Sequence, residues 1–127
     1  DIDHFKRFND DYGHQTGDEV LRQIAKTLDN NIRKTDLIAR YGGEEFVLLL
    51  PNTIQERAFE VADKLRQAIQ DAEVLSAGIT HRVTVSMGGF GRTVKASEML
   101  DLVSNADKAL YMSKDGGRNR VTCFVED

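Results

Sequence analysis

Cysteine occurs once and proline once in the 127 residues, and each scarcity closes off a class of protein. A lone Cys123 excludes an internal disulfide, fits a reducing cytosol, and cannot by itself build a metal site. Pro51 is the single proline, and there is no repeat, linker or low-complexity tract to divide the chain. The length allows one compact domain with a core and is too short for two. Basic residues do not dominate: 17 Lys and Arg stand against 21 Asp and Glu, a net charge of −4. Nucleic acid is therefore not the expected partner, because it calls for a basic face. A polyphosphate stays open to an acidic protein when a metal ion supplies local positive charge. Long apolar runs are missing too. The longest, such as Phe46 to Leu50, are strand-sized and far below a membrane span, so this stretch is expected to make no membrane contact. No signal-peptide pattern is read at its start. What remains is an ordinary globular composition, 40% apolar and 30% charged. The chain opens on a charged stretch without Met, which reads as a fragment of something longer.

Short helices and strands alternate along it. Asp3 reads as the N-cap of a helix over His4 to Tyr12 that stops at Gly13. Thr16 and Glu19 have capping-box spacing, and Val20, Leu21, Ile24, Ala25, Leu28 and Ile32 follow with helical period. Leu37 to Tyr41 and Phe46 to Leu50 read as strands joined by a tight hairpin, Gly42-Gly43-Glu44-Glu45. Ala58, Val61, Ala62, Leu65, Ala68 and Ile69 mark one face of a third helix. Arg82 to Met87 alternates as a strand, with Val83 and Val85 on one side. Met99, Leu100, Val103, Ala106 and Leu110 mark a fourth helix, ended by Gly116-Gly117. Val121 to Val125 closes as a last strand. The order predicts an α+β sandwich, with helices on an antiparallel-rich sheet.

Three stretches can carry chemistry. In Arg40-Tyr41-Gly42-Gly43-Glu44-Glu45-Phe46, paired glycines allow the positive φ angles of a primed turn and let a ligand approach the backbone. Neighbouring strand residues point to opposite faces, so Glu44 and Glu45 should not share one job. A solvated hairpin tip explains this stretch equally well when it is taken alone. In Asp1-Ile2-Asp3-His4-Phe5-Lys6, the free amides of a helix N-terminus attract phosphate. Asp1 can hold a hard cation above it, since magnesium prefers oxygen ligands; a solvated terminal residue is the plainer alternative. Asn9 and Asp18 together can read guanine, the carboxylate accepting from the base N1 and N2 hydrogens. A polar helix face and a first-turn dipole partner are their ordinary roles. Lys114 and Arg118 flank a helix C-terminus, where cations are favoured in any case.

Together these stretches resemble one family. Asp1-Ile2-Asp3-His4-Phe5-Lys6, Asn9-Asp10, Gly13-His14, Gly17-Asp18, Arg40 to Phe46, Asp107 with Ala109-Leu110-Tyr111, Lys114 and Gly117-Arg118-Asn119 stand in the order and spacing of GGDEF-domain diguanylate cyclases. The resemblance runs the length of the chain, with Glu44 where the family name has Asp. It implies a ferredoxin-like fold related to nucleotidyl cyclases and polymerase palms. It also implies a reaction in which two GTP molecules, one on each domain of a homodimer, are joined into cyclic di-GMP. Asp1 and Glu45, helped by the Ile2 carbonyl, would bind two magnesium (or manganese) ions per active site. Glu44 would help to deprotonate the 3′-hydroxyl, and Asn9 and Asp18 would read guanine. Phe5 and Lys6 would offer backbone amides to the phosphates, Lys6, Lys114 and Arg118 would add charge, and Gly42 and Gly43 would lie against the nucleotide.

The family's domains begin with a helix and most of a central first strand upstream of Asp1. The resemblance therefore implies that residues 1–127 are one domain cut short at its N-terminus, with a free α-amino group beside the metal position. The parent would be a cytoplasmic bacterial signalling protein, anchored to a membrane if at all by other segments. The rival is an inactive GGDEF domain that binds GTP or cyclic di-GMP as a regulatory module; such members usually lose the carboxylates kept here. Arg33-Lys34-Thr35-Asp36 has the Arg-x-x-Asp form and position of the family's product-inhibition site, five residues before the hairpin glycines. The intervening strand puts it roughly 15–20 Å from the turn. Arg33 can pair with guanine O6 and N7 and Asp36 with the N1 and N2 edge; a surface salt bridge is the alternative. Lys64 stands where some members supply a further Arg, without its bidentate geometry.

Overall fold

Helical periodicity builds most of the core. The computed structural model describes residues 1–91 and 99–124. Its first half holds α1 (Phe5–Tyr12), α2 (His14–Asn30), β1 (Leu37–Arg40), β2 (Phe46–Leu49) and α3 (Gln55–Asp71). Then come β3 (Val74–Ser76), β4 (Ile79–His81), β5 (Met87–Phe90), α4 (Met99–Asp115) and β6 (Val121–Phe124). Val20, Leu21, Ile24 and Leu28 of α2 are buried against Leu65 and Ile69 of α3, with Ile2, Phe5, Val74 and Val85 completing the cluster. Each such side chain, fully buried, stabilises the fold by about 1.5–3 kcal/mol. Among the described residues no helix is long and apolar enough to cross a membrane.

The strands pair two by two. β1 and β2 are antiparallel, with Arg40 opposite Phe46, β3 and β4 are antiparallel, and β5 and β6 are parallel. Ile2 lies between the first hairpin and the β5 side. It forms an antiparallel bridge with Val85, and its N–H reaches the Glu44 carbonyl at 3.3 Å. α4 sits directly on β5: a Cβ added at Gly88 would come within 2.0 Å of the Leu110 nitrogen. The α+β class is as expected.

Several local expectations are corrected. Asp3 is not an N-cap. His4 takes that position with φ 56° and no side-chain cap bond, because the Asp3 carboxylate is buried and bound elsewhere. The capping box is absent. Gly13 starts α2, so Thr16 already lies inside the helix, where its hydroxyl meets that of Ser76, while Glu19 pairs with Arg22. The first hairpin is no primed two-residue turn. Tyr41 to Glu45 connect the strands, neither glycine has a positive φ, and the Arg40 guanidinium braces the loop through the Gly42 and Gly43 carbonyls. Strand pairing expected over Arg82 to Met87 begins only at Met87, apart from the Val85 bridge. Leu100 is exposed, and the buried side of α4 runs through Ala109 and Ser113. The β3–β4 hairpin was not anticipated. Its turn is Ala77-Gly78, both at positive φ, a type I′ arrangement with Ala where Asn or Asp is usual. The expected end of the last strand at Val125 lies outside the described residues.

Candidate functional site

Asp1 is the best-enclosed carboxylate near the hairpin loop. Its backbone is held by Ser86, which accepts from the Asp1 nitrogen at 3.1 Å and donates to the Asp1 carbonyl at 3.0 Å. Its side chain is 5% exposed and meets Lys114 Nζ at 3.3 Å. The bond from Ile2 to the Glu44 carbonyl fastens the hairpin beside Asp1. Glu44 and Glu45 are half-buried, and the Glu45 carbonyl accepts from the Tyr41 and Gly42 amides, closing the loop.

Across the loop, Asp18 opens onto a groove of about 800 Å³ between α2 and the hairpin, lined also by Leu21, Ile38, Arg40 and Phe46. Asn9 reaches the same elbow from α1. A Cβ on Gly17, the residue before Asp18, would fall 1.8 Å from Asn9 Oδ1, so only glycine lets the amide lie there. That oxygen is buried and accepts no hydrogen bond. Phe5 is buried, whereas Lys6 is exposed. A second groove of about 450 Å³, between α1 and residues 82–84, contains none of the residues read from the sequence as site residues. The glycine loop and the enclosed Asp1 place the candidate site at the hairpin.

Residue-level reading missed how this site is braced. Asp3 Oδ1 accepts from the Ser86 hydroxyl at 2.6 Å, and Oδ2 accepts from the Thr84 hydroxyl at 2.6 Å and the Asn119 N–H at 3.0 Å. The Asn119 side chain in turn bonds Arg66 and Gln70 of α3. Arg118, half-buried, precedes this anchor, and its N–H bonds the Ser113 carbonyl at 2.9 Å.

Arg33 and Asp36 form an ion pair. The guanidinium holds the buried Asp36 carboxylate at 2.9 and 3.3 Å and also bonds the Pro51 carbonyl and the Thr53 hydroxyl. This hydrogen bonding pulls the Asp36 carboxyl below its usual range and raises Arg33. Lys64 is exposed on α3 and joins neither in any bond among the described residues.

Two carboxylates, Asp1 and Glu45, suit a hard cation that takes its remaining ligands from carbonyls, water and phosphate. Among the described residues no group of three His, Cys, Asp or Glu side chains forms a closed metal cage. This donor set fits magnesium or manganese better than zinc.

The sequence matches the family described as diguanylate cyclase, GGDEF domain, over residues 1–120. It is 43% identical to diguanylate cyclase A of Treponema denticola over 96% of this chain and 33% of that protein. It is 47% identical to diguanylate cyclase DgcM of Escherichia coli over 95% of this chain and 28% of that one. The chain thus spans about a third of the length of these curated relatives. The fold matches the GGDEF domain of DgcB from Caulobacter crescentus in complex with cyclic di-GMP. There the TM-score is 0.88 at 38% identity, covering 97% of this chain and 73% of that one. It also matches the active GGEEF domain of a Vibrio cholerae diguanylate cyclase. That TM-score is 0.89 at 34% identity, covering 100% and 80% of the two chains.

Proposed function

The chain belongs to the GGDEF domain family, and on that footing we propose that it is a diguanylate cyclase, condensing two GTP into cyclic di-GMP in bacterial second-messenger signalling. The observation that carries this reading is the fastening of Asp1 beside Glu44 and Glu45 by the Ile2–Glu44 bond, with Lys114 against Asp1. In this reading two domains of a homodimer face each other, each presenting one GTP. Asp1, Glu45 and the Ile2 carbonyl hold the divalent ions. When bound, such ions make the 3′-hydroxyl more acidic and stabilise leaving pyrophosphate. Glu44 receives the 3′-hydroxyl proton as that oxygen bonds the α-phosphorus of the facing GTP and the bond to pyrophosphate breaks. Asn9 and Asp18 read guanine, the Asp18 carboxylate accepting from its N1 and N2 hydrogens. The Phe5 and Lys6 amides hold the terminal phosphates, and Lys6, Lys114 and Arg118 balance their charge. Gly42 and Gly43 give the nucleotide room at the backbone. Cyclic di-GMP returns to Arg33 and Asp36, with Lys64 alongside, as an inhibitor.

Glu45→Gln tests the assignment. It removes one metal-binding charge from a loop where little packing is at stake, so synthesis from magnesium-GTP should fall by roughly 100-fold or more with the thermal melt unchanged. A variant with near-normal turnover would sink the metal assignment. GTP binding by the wild type without product would instead make the domain a regulatory module.

A further inference from the structure

Arg118 and Asn119 are consecutive non-glycine residues in the left-handed region, at φ 65° and 45°. That conformation is unfavourable for L-residues and needs an external hold. The helix end supplies part of it through the Ser113 carbonyl, which accepts from the Arg118 N–H at 2.9 Å. The rest comes from the far end of the chain, where Asp3 Oδ2 accepts from the Asn119 N–H at 3.0 Å. Asp3 is 7% exposed, and its two hydroxyl donors, Thr84 and Ser86, fix the carboxylate from the segment whose Ser86 backbone holds Asp1. A charged acceptor makes these bonds shorter and stronger than neutral ones. One carboxylate therefore joins the segment that holds Asp1, the start of α1 where Phe5 and Lys6 lie, and the loop that carries Arg118.

The geometry points to Asp3 as a positioning residue for phosphate binding, acting through the Asn119 amide to set the direction of the Arg118 side chain. This rests on the cyclase reading, because Arg118 must be a phosphate ligand for its direction to matter. A purely structural Asp3 would lower stability and leave the use of GTP alone. A positioning Asp3 matters to catalysis only while Arg118 is present.

A double-mutant cycle in the full-length protein separates the two. Asp3→Ala and Arg118→Ala should each lower kcat/KM for magnesium-GTP, mainly through KM, by roughly tenfold or more. The double variant should fall no more than about twofold below Arg118→Ala alone, since residues acting through one contact are not additive. Asp3→Asn keeps the side-chain volume and one acceptor, and serves if Asp3→Ala does not fold; it should show a smaller loss with the same non-additivity. Thr84→Val removes a donor to the same carboxylate but leaves the Asn119 bond, so it should lower the melting temperature without moving KM. Losses from Asp3 and Arg118 that simply multiply, or a KM change in Thr84→Val equal to that of Asp3→Ala, would overturn the positioning role while the cyclase reading stands. A wild type that neither binds GTP nor makes cyclic di-GMP would bring down both.

Discussion

Neither Gly42 nor Gly43 needs a positive φ angle, and a Cβ on Gly43 would meet nothing within 4 Å. The fold makes no demand for glycine there, and the proposed site uses the pair as room for a nucleotide at the backbone. Gly43→Ala should therefore keep its melting temperature within about 2 °C, as harmless surface changes do, yet lose at least about tenfold in GTP turnover. Unchanged turnover would mean that no nucleotide lies against the loop. Asp18 makes a complementary case. Its carboxylate suits guanine's N1 and N2 hydrogens, whereas adenine's unprotonated N1 would face bare negative charge. Asp18→Ser should admit ATP, with discrimination falling by about 1–3 kcal/mol, and a competition assay with an undiminished preference for GTP would exclude the role. Asp3 shows the limit of reading single residues. An Asp before a helix looks like a cap, and its true partners lie 81, 83 and 116 positions away, where local spacing carries no signal.

Elements were legible where one period spans several turns. α2 and α3 bury Val20, Leu21, Ile24 and Leu28, and Leu65 and Ile69, as their spacing predicts. Short strands were not. Three residues a side leave no alternation to read, and Ala77 hides the turn of the β3–β4 hairpin, which packs on α1 through His81 against Phe8 and Tyr12 at 5.1 and 4.5 Å. The capping box failed because Gly13 had already started the helix. α4 packs backbone to backbone on β5. At Gly88 a Cβ would stand 2.0 Å from the Leu110 nitrogen and 2.3 Å from the Ala106 oxygen, both backbone atoms that no rotamer change can clear. Gly88→Ala should cost about 3 kcal/mol in urea unfolding. A loss below half of that would show that α4 can slide on β5, and with it Lys114 against Asp1.

At the scale of the whole molecule, the Arg33–Asp36 pair ties the end of α2 to the loop before α3, because Arg33 also holds the Pro51 carbonyl and the Thr53 hydroxyl. The ion pair is present, and product at the proposed inhibitory site would have to take Arg33 from three acceptors in its own chain. Arg33→Ala should weaken cyclic di-GMP binding and ease inhibition, while the initial rate without product changes by less than about twofold, since the pair stands apart from the turn. Inhibition that persists in this variant would leave Arg33 as a brace and nothing more. The Asp3 clamp has a consequence in time as well as in space. A ribosome adding roughly 5–20 residues per second makes Thr84 about 4–16 s after Asp3, and Asn119 about 6–23 s after it. Until Thr84 emerges the Asp3 carboxylate has none of its three partners, and until Asn119 emerges the clamp stays open. On the proposed reading, a copy broken off before Asn119 would lack the clamp and stay silent.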